Sequence, residues 1–334
     1  MVSFLRDLYY EGYETAHAWY RGLTHNRKWL LMRQLSRFTK IRCWIKQSVV
    51  KQRLALCAEP CETAIDRSIF PDVAIDQVVQ SIQQDGYFLG LQLPLSIVRS
   101  ILDFANQQPC LGNRYPDTGF YYAEKAQAEA HYQTAFVTAS YFNTALTCPA
   151  IAKLGQDPVL RSIAARYLGA EPVLISSRLW WSFPSRATVR DRRKSAQMFH
   201  YDLDDYGFLK FFFYLTDVDE WAGPHICVRG THLHKRWFHE WFGKKFSEAA
   251  IERAYGSANV ITVCGESGFG FAEDTFCFHR ASPPQKHDRL ILQLEYALQD
   301  YGMERDTIDP QSVRVYAAGA DSLTGSPCRG DRVR

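Results

Sequence analysis

Two apolar rhythms divide the chain. From Leu31 onward the positions Leu31, Leu35, Phe38, Ile41, Ile45 and Val49 recur at three- and four-residue steps, the period of an amphipathic helix. Residues 1–56 hold no proline and are predicted helical. Residues 57–72 read as a linker. Helices are predicted over 73–84 and 94–107, the second with Pro94 in its first turn, and a short strand over 86–90 between them. The tyrosine-rich stretch 110–130 reads as loop, and 139–169 as helical again. Beyond Glu171 the rhythm changes to short apolar blocks parted by Gly and Pro. Strands are predicted over 172–183, 208–218, 226–228, 259–263, 268–272, 275–278 and 290–298, with a helical insertion at 233–256. Helices ahead of many short strands predict an α+β chain. Its core, 171–300, is expected to be a double-stranded β-helix (jelly roll, cupin-like) with flanking helices. The main domain is placed at 73–315, and 316–334 reads as a loose basic tail.

Composition changes this picture little. Of the 334 residues 46% are hydrophobic and 22% charged, as in a soluble globular protein. A net charge of +3 is too small to argue for nucleic acid. Nine cysteines without paired CxxC spacing read as reduced thiols of a cytoplasmic protein. No run reaches the ~18–20 apolar residues of a membrane span. The arm is the exception. Between Ala16 and Ala58 stand ten Lys or Arg and no acidic residue. Two readings stay open: a helix packed on the main domain with a solvated basic face, or a peripheral contact of residues 21–53 with an anionic membrane or a protein partner.

The chemistry concentrates in QMFHYDLDDYGFLKFFFYLTDVD, 197–219, and in DTFCFHRASPPQKHDRLILQLEYA, 274–297. In an extended strand His200 and Asp202 face the same side. His279 follows after about eighty residues and Arg289 ten later. Two imidazoles and a carboxylate on one face suit non-haem iron(II) with open positions. A guanidinium at the start of the last strand can take a carboxylate through two parallel hydrogen bonds, as a 2-oxoglutarate site needs. His225 and His232, in GPHICVRGTH, read as buried hydrogen-bonding groups. Asp204 reads as a turn residue, and His239 as a surface group or substrate contact.

The ordered set HxD, LKxFxYLTDVD, GPHxxVxGTH and HRxSPP…R, over 174–297, resembles the phytanoyl-CoA dioxygenase family of Fe(II)/2-oxoglutarate-dependent oxygenases. The resemblance implies His200, Asp202 and His279 as iron ligands and Arg289 on the distal carboxylate of 2-oxoglutarate. Lys210 and Ser282 would support that co-substrate, and Trp180, Gln197 and Tyr214 are candidates for the substrate pocket. Family members often carry Gly-Ser after the distal histidine, where this chain has Arg280 and Ala281. Asp202 stands where related halogenases have Gly or Ala, which implies oxygen transfer. The activity implied is hydroxylation of an aliphatic carbon in a small molecule, a lipid or natural-product intermediate, with O2 consumed and succinate and CO2 released. The alternatives are an inactive jelly roll that binds a ligand or partner, and a cupin metalloenzyme that does not use 2-oxoglutarate.

Overall fold

The computed structural model describes residues 26–54, 67–184, 198–241, 245–303 and 306–316. The strands are β1 (Tyr87–Gln92), β2 (Cys110–Gly112), β3 (Gly119–Phe120), β4 (Thr138–Tyr141), β5 (Val173–Ser182), β6 (Phe208–Tyr214), β7 (His225–Val228), β8 (Val260–Val263), β9 (Phe269–Glu273), β10 (His279–Ala281) and β11 (Arg289–Ala297). Eight form one antiparallel sheet in the order β1-β9-β6-β11-β5-β4-β2-β3, and three form a second, β10-β7-β8. A bridge between His200 and His279 extends the small sheet by one more piece of chain. Phe212, Tyr214, Phe271 and Ile291 of the large sheet pack with Val263 of the small one. This is the predicted double-sheet core, open rather than closed into a barrel.

Alternation explains why the large sheet has two unlike faces. On β11, Leu290, Leu292, Leu294 and Tyr296 enter one cluster with Leu209, Phe211 and Phe213 of β6. That cluster continues into the helices α3 (Ile75–Asp85), α4 (Leu95–Gln107) and α8 (Pro158–Leu168), named here after α1 (Arg27–Leu35) and α2 (Thr39–Leu54) and with α5 (Lys125–Tyr132), α6 (Thr144–Thr147) and α7 (Pro149–Leu154) between. The other face of β11 carries Arg289, Ile291, Gln293 and Glu295. In register, Gln293 lies opposite Phe212 and Glu295 opposite Lys210. All nine residues of β11 are buried, so this polar row is buried too. Buried polar groups need partners: Glu295 lies 3.6 Å from Lys210, whereas Arg289 Nε and Gln293 Nε2 have no hydrogen-bond partner among the described residues.

The arm packs on the domain. Arg42 is buried and pairs with buried Asp274, its Nη2 3.1 and 3.0 Å from the two carboxylate oxygens. Lys46 donates to Tyr167 O, Arg53 to Glu171 O, and Arg37 to the carbonyls of Glu240 and Trp241 in the helix α9 (Trp237–Trp241). Of the two readings of the arm, these contacts carry the packed one for residues 26–54. No described helix is long and apolar enough to cross a membrane.

Several expectations are corrected. The stretch 110–130 is not loop: it forms β2, β3 and most of α5, and its strands extend the large sheet. Residues 139–169 open as β4, too short to show a period, before turning helical. Residues 275–278 form a turn rather than a strand, and His279 begins β10. In the expected linker, 67–72 is pinned: Asp157, at the N-cap of α8, accepts from Ser68 Oγ and Ile69 N, and Phe70 is core. Residues 57–66 lie outside the described ones, as do 1–25, the basic loop 185–197 and the tail from 317.

Candidate metal centre

His200 and His279 meet as bridge partners, each backbone N–H donating to the other's carbonyl at 3.0 and 2.8 Å. Asp202, two residues on, donates its N–H to Thr275 O at 2.9 Å. The predicted same-side geometry therefore holds, although only His200 sits in a β-bridge. His200 Nε2 lies 3.8 Å from Asp202 Oδ1, and His279 Nε2 3.6 Å from Asp202 Oδ2. The three candidate donor atoms are within 4.8 Å of one another, a group able to hold a metal ion.

Each imidazole is fixed from behind. His200 Nδ1 lies 2.8 Å from Met198 O and His279 Nδ1 3.0 Å from Cys277 O. A carbonyl only accepts, so Nδ1 carries the proton and Nε2 presents its lone pair to the site. Burial, with His200 beside it, also lowers His279 to about 4, which keeps the ring neutral at physiological pH. Burial alone would raise Asp202. Lys210, followed by the two histidines, overrides that and holds the carboxyl well below its usual range.

The charges test whether a divalent ion fits. Lys210 Nζ lies 2.7 Å from Asp202, 2.9 Å from Asp204 and 3.6 Å from Glu295. Three carboxylates converge on one ammonium, and a divalent cation on the Nε2 and Oδ1 atoms would add to the positive charge that they face. Asp204 is thus no plain turn residue.

Arg289 begins β11 as expected and is buried. Its guanidinium donates to Gly223 O and, at 3.1 Å, to Ser182 Oγ. Its Nε has no acceptor, and among the described residues no carboxylate pairs with it. Gly223 must be glycine for this contact: its φ is +78°, and a Cβ would lie 2.7 Å from Ser282 O. The triad, Lys210, Arg289 and Trp180 all line one cavity of about 530 Å³.

Tyr214 is not at that cavity. It is fully buried, its hydroxyl donating to Val263 O and accepting from His225 N. Ser282 is held by its N–H on Pro224 O, and its hydroxyl accepts from Arg280 at 3.4 Å. Gln197 lies outside the described residues. His225 and His232 have the expected buried roles, on Glu273 at 2.6 Å and near Gln83 O at 3.2 Å. Burial lowers His225 to about 3 and raises Glu273 to about 8, so the pair is neutral. His239, expected as a surface group or substrate contact, is buried, its Nδ1 2.8 Å from Tyr255 OH. The sequence reading missed Arg114 and Arg178, which also line the cavity.

No protein-family profile and no curated protein matches the sequence. Among solved structures the chain is similar to the non-heme alpha ketoglutarate dependent epimerase SnoN from nogalamycin biosynthesis, 17% identical over 78% of this chain and 97% of that one, TM-score 0.45. It is also similar to HygX from Streptomyces hygroscopicus with nickel and 2-oxoglutarate bound, 15% identical over 66% and 85%, TM-score 0.47. A third is the carbocyclase SnoK from nogalamycin biosynthesis, 15% identical over 71% and 87%, TM-score 0.45. Likenesses this distant carry no argument about activity.

Proposed function

We propose that this protein is a non-haem iron(II), 2-oxoglutarate-dependent oxygenase of the phytanoyl-CoA dioxygenase type that hydroxylates an aliphatic carbon of a small molecule. The overall reaction joins substrate, O2 and 2-oxoglutarate and gives hydroxylated substrate, succinate and CO2. One observation carries the reading: a buried guanidinium that has no carboxylate partner among the described residues shares its cavity with two imidazoles and a carboxylate. An uncompensated buried charge is costly, and a dicarboxylate co-substrate supplies what Arg289 lacks.

His200, Asp202 and His279 would hold the iron, which when bound supplies oxygen activation coupled to decarboxylation of 2-oxoglutarate. The backbone carbonyls of Met198 and Cys277 orient the two rings. Lys210 keeps Asp202 ionised and engages Oδ2, which leaves Oδ1 as the metal-facing oxygen. Arg289 and Ser182 would hold the distal carboxylate.

The test is anaerobic loading with iron(II), then exposure to O2 with 2-oxoglutarate labelled at its C1 carboxylate. Slow substrate-independent release of labelled CO2 with stoichiometric succinate is expected. A protein that binds iron but releases neither is a metalloenzyme of another kind. One that binds no iron is a binding protein.

A further inference from the structure

Behind the candidate metal centre lies an aromatic cluster built from its sequence neighbours. Tyr201 stands between His200 and Asp202, and Phe276 and Phe278 flank Cys277, whose carbonyl orients His279. These three rings share a buried cluster with Phe199 and Ile226. Tyr201 meets both phenylalanines edge-on, with ring centres 5.4 Å apart in each pair.

Lys235 enters this cluster from the segment between β7 and α9. Its Nζ lies 4.4 Å from the centre of the Tyr201 ring, 4.3 Å from that of Phe276 and 4.2 Å from that of Phe278. It donates to Phe276 O at 2.7 Å and to Thr231 O at 3.1 Å. Thr231 Oγ1 in turn accepts from Phe278 N at 2.9 Å. One side chain thus touches the residue between two candidate ligands and both residues around the carbonyl that fixes the third.

Stability alone is a poor reason for a lysine here. The residue is half-buried, but its ammonium is enclosed by three rings and two carbonyls. Among the described residues no carboxylate pairs with it. Taking a charge out of water without a counter-ion is costly, and burial lowers Lys235 to about 7. Cation–π attraction and the two hydrogen bonds offset part of that cost. A methionine of similar length would fill the space without it. What methionine lacks is a group that binds the two carbonyls and draws the three rings to one point.

We propose that Lys235 is a positioning residue of the metal centre: it ties Tyr201 to Phe276 and Phe278 and so fixes the spacing between the His200–Asp202 piece of chain and the turn that leads to His279. This rests on the reading of His200, Asp202 and His279 as metal ligands and is independent of 2-oxoglutarate.

The test uses cobalt(II), whose visible absorption bands report ligand geometry, titrated into the full chain without co-substrate. Lys235→Met should lose roughly tenfold in cobalt(II) affinity, the scale seen when a group that orients metal ligands is removed, and its absorption bands should shift or weaken. Lys235→Gln keeps an amide donor for one carbonyl, so its loss should be smaller, and it carries the test where Lys235→Met does not fold. Tyr296→Phe is the control for lost stability: it removes a buried hydroxyl that donates to Gly155 O at 3.1 Å, within the cluster on the opposite face of the large sheet. Its cobalt(II) affinity and spectrum should stay within about twofold of wild type. Lysine variants with wild-type affinity and spectrum would overturn the proposal. So would an equal loss in Tyr296→Phe, since the effect would then follow stability rather than position. Wild-type protein that takes up no cobalt(II) would sink the metal-centre reading itself, and this inference with it.

Discussion

Replacing Arg42 with Met should weaken both the fold and the metal centre. The guanidinium reaches buried Asp274 from the helix α2 and lies over the Phe276 ring at 4.3 Å. Without it the carboxylate keeps, among the described residues, Tyr167 OH at 2.6 Å and Phe276 N at 3.0 Å as close donors. Burial pushes this carboxyl up, and Arg42, with His232 and Tyr167 after it, brings it down to about 2 from 3.8. The net shift is worth about 2 kcal/mol. Removing the cation leaves the burial penalty unopposed, so the loss should be larger, about 3–5 kcal/mol. For a chain of this size that is roughly 4–7 °C in melting temperature. The pH dependence has a definite sign. In the wild type the depressed carboxyl contributes stability at pH above its unfolded value, and this is lost as pH falls through about 2. In Arg42→Met the folded carboxyl is raised, so the variant is penalised most near neutrality, and its deficit narrows as pH falls toward about 4. Adding Asp274→Asn should recover over half of the deficit. The metal is affected because Asp274 opens the turn before His279. Thr275 O in that turn accepts from Asp202 N, and Cys277 O orients His279. Manganese(II) affinity, read by calorimetry, should fall roughly tenfold. Urea unfolding that shows a deficit under about 1 kcal/mol, or one flat between pH 4 and 7, would refute the reasoning.

Arg289→Gln should weaken 2-oxoglutarate binding by roughly tenfold to a hundredfold with manganese(II) affinity kept, both measured by calorimetry; equal loss of both would remove the co-substrate role. Lys210→Met leaves Asp202, Asp204 and Glu295 without their common ammonium, so the metal-free protein should melt several degrees lower. The rise in melting temperature on adding metal should then be larger than in wild type, and an unchanged rise would count against the charge balance drawn above. Tyr167→Phe removes one donor to Asp274 and should cost about 1–3 kcal/mol in urea unfolding, with the aromatic packing retained.

What the sequence could disclose was decided by the range of each signal. That His200, Asp202, His279 and Arg289 meet at one cavity was legible because the chemistry proposed for them demands fixed residue types at near-fixed spacing. The two-sheet core was legible because β11 and β6 alternate apolar residues with a polar or aromatic set, as a strand with two unlike buried faces must. Local signals failed where partners come from elsewhere in the chain. The stretch 110–130 lacks period because its strands are two or three residues long and exist only as additions beyond β4, β2 pairing with β4 and β3 with β2. The arm's basic run left a contact with anions open beside the packed helix because a sequence does not show that Arg37, Lys46 and Arg53 donate to backbone carbonyls. Arg42 looked like one more basic residue, yet it is buried on Asp274, 232 positions away. The same blindness hid Arg114 and Arg178: Asp306, which joins them, is fixed by Ser176, itself opposite Glu295 in the register of β5 and β11. Side chains that would hold a metal follow a motif, whereas those that line the rest of the cavity are gathered by sheet register, which only the folded chain displays.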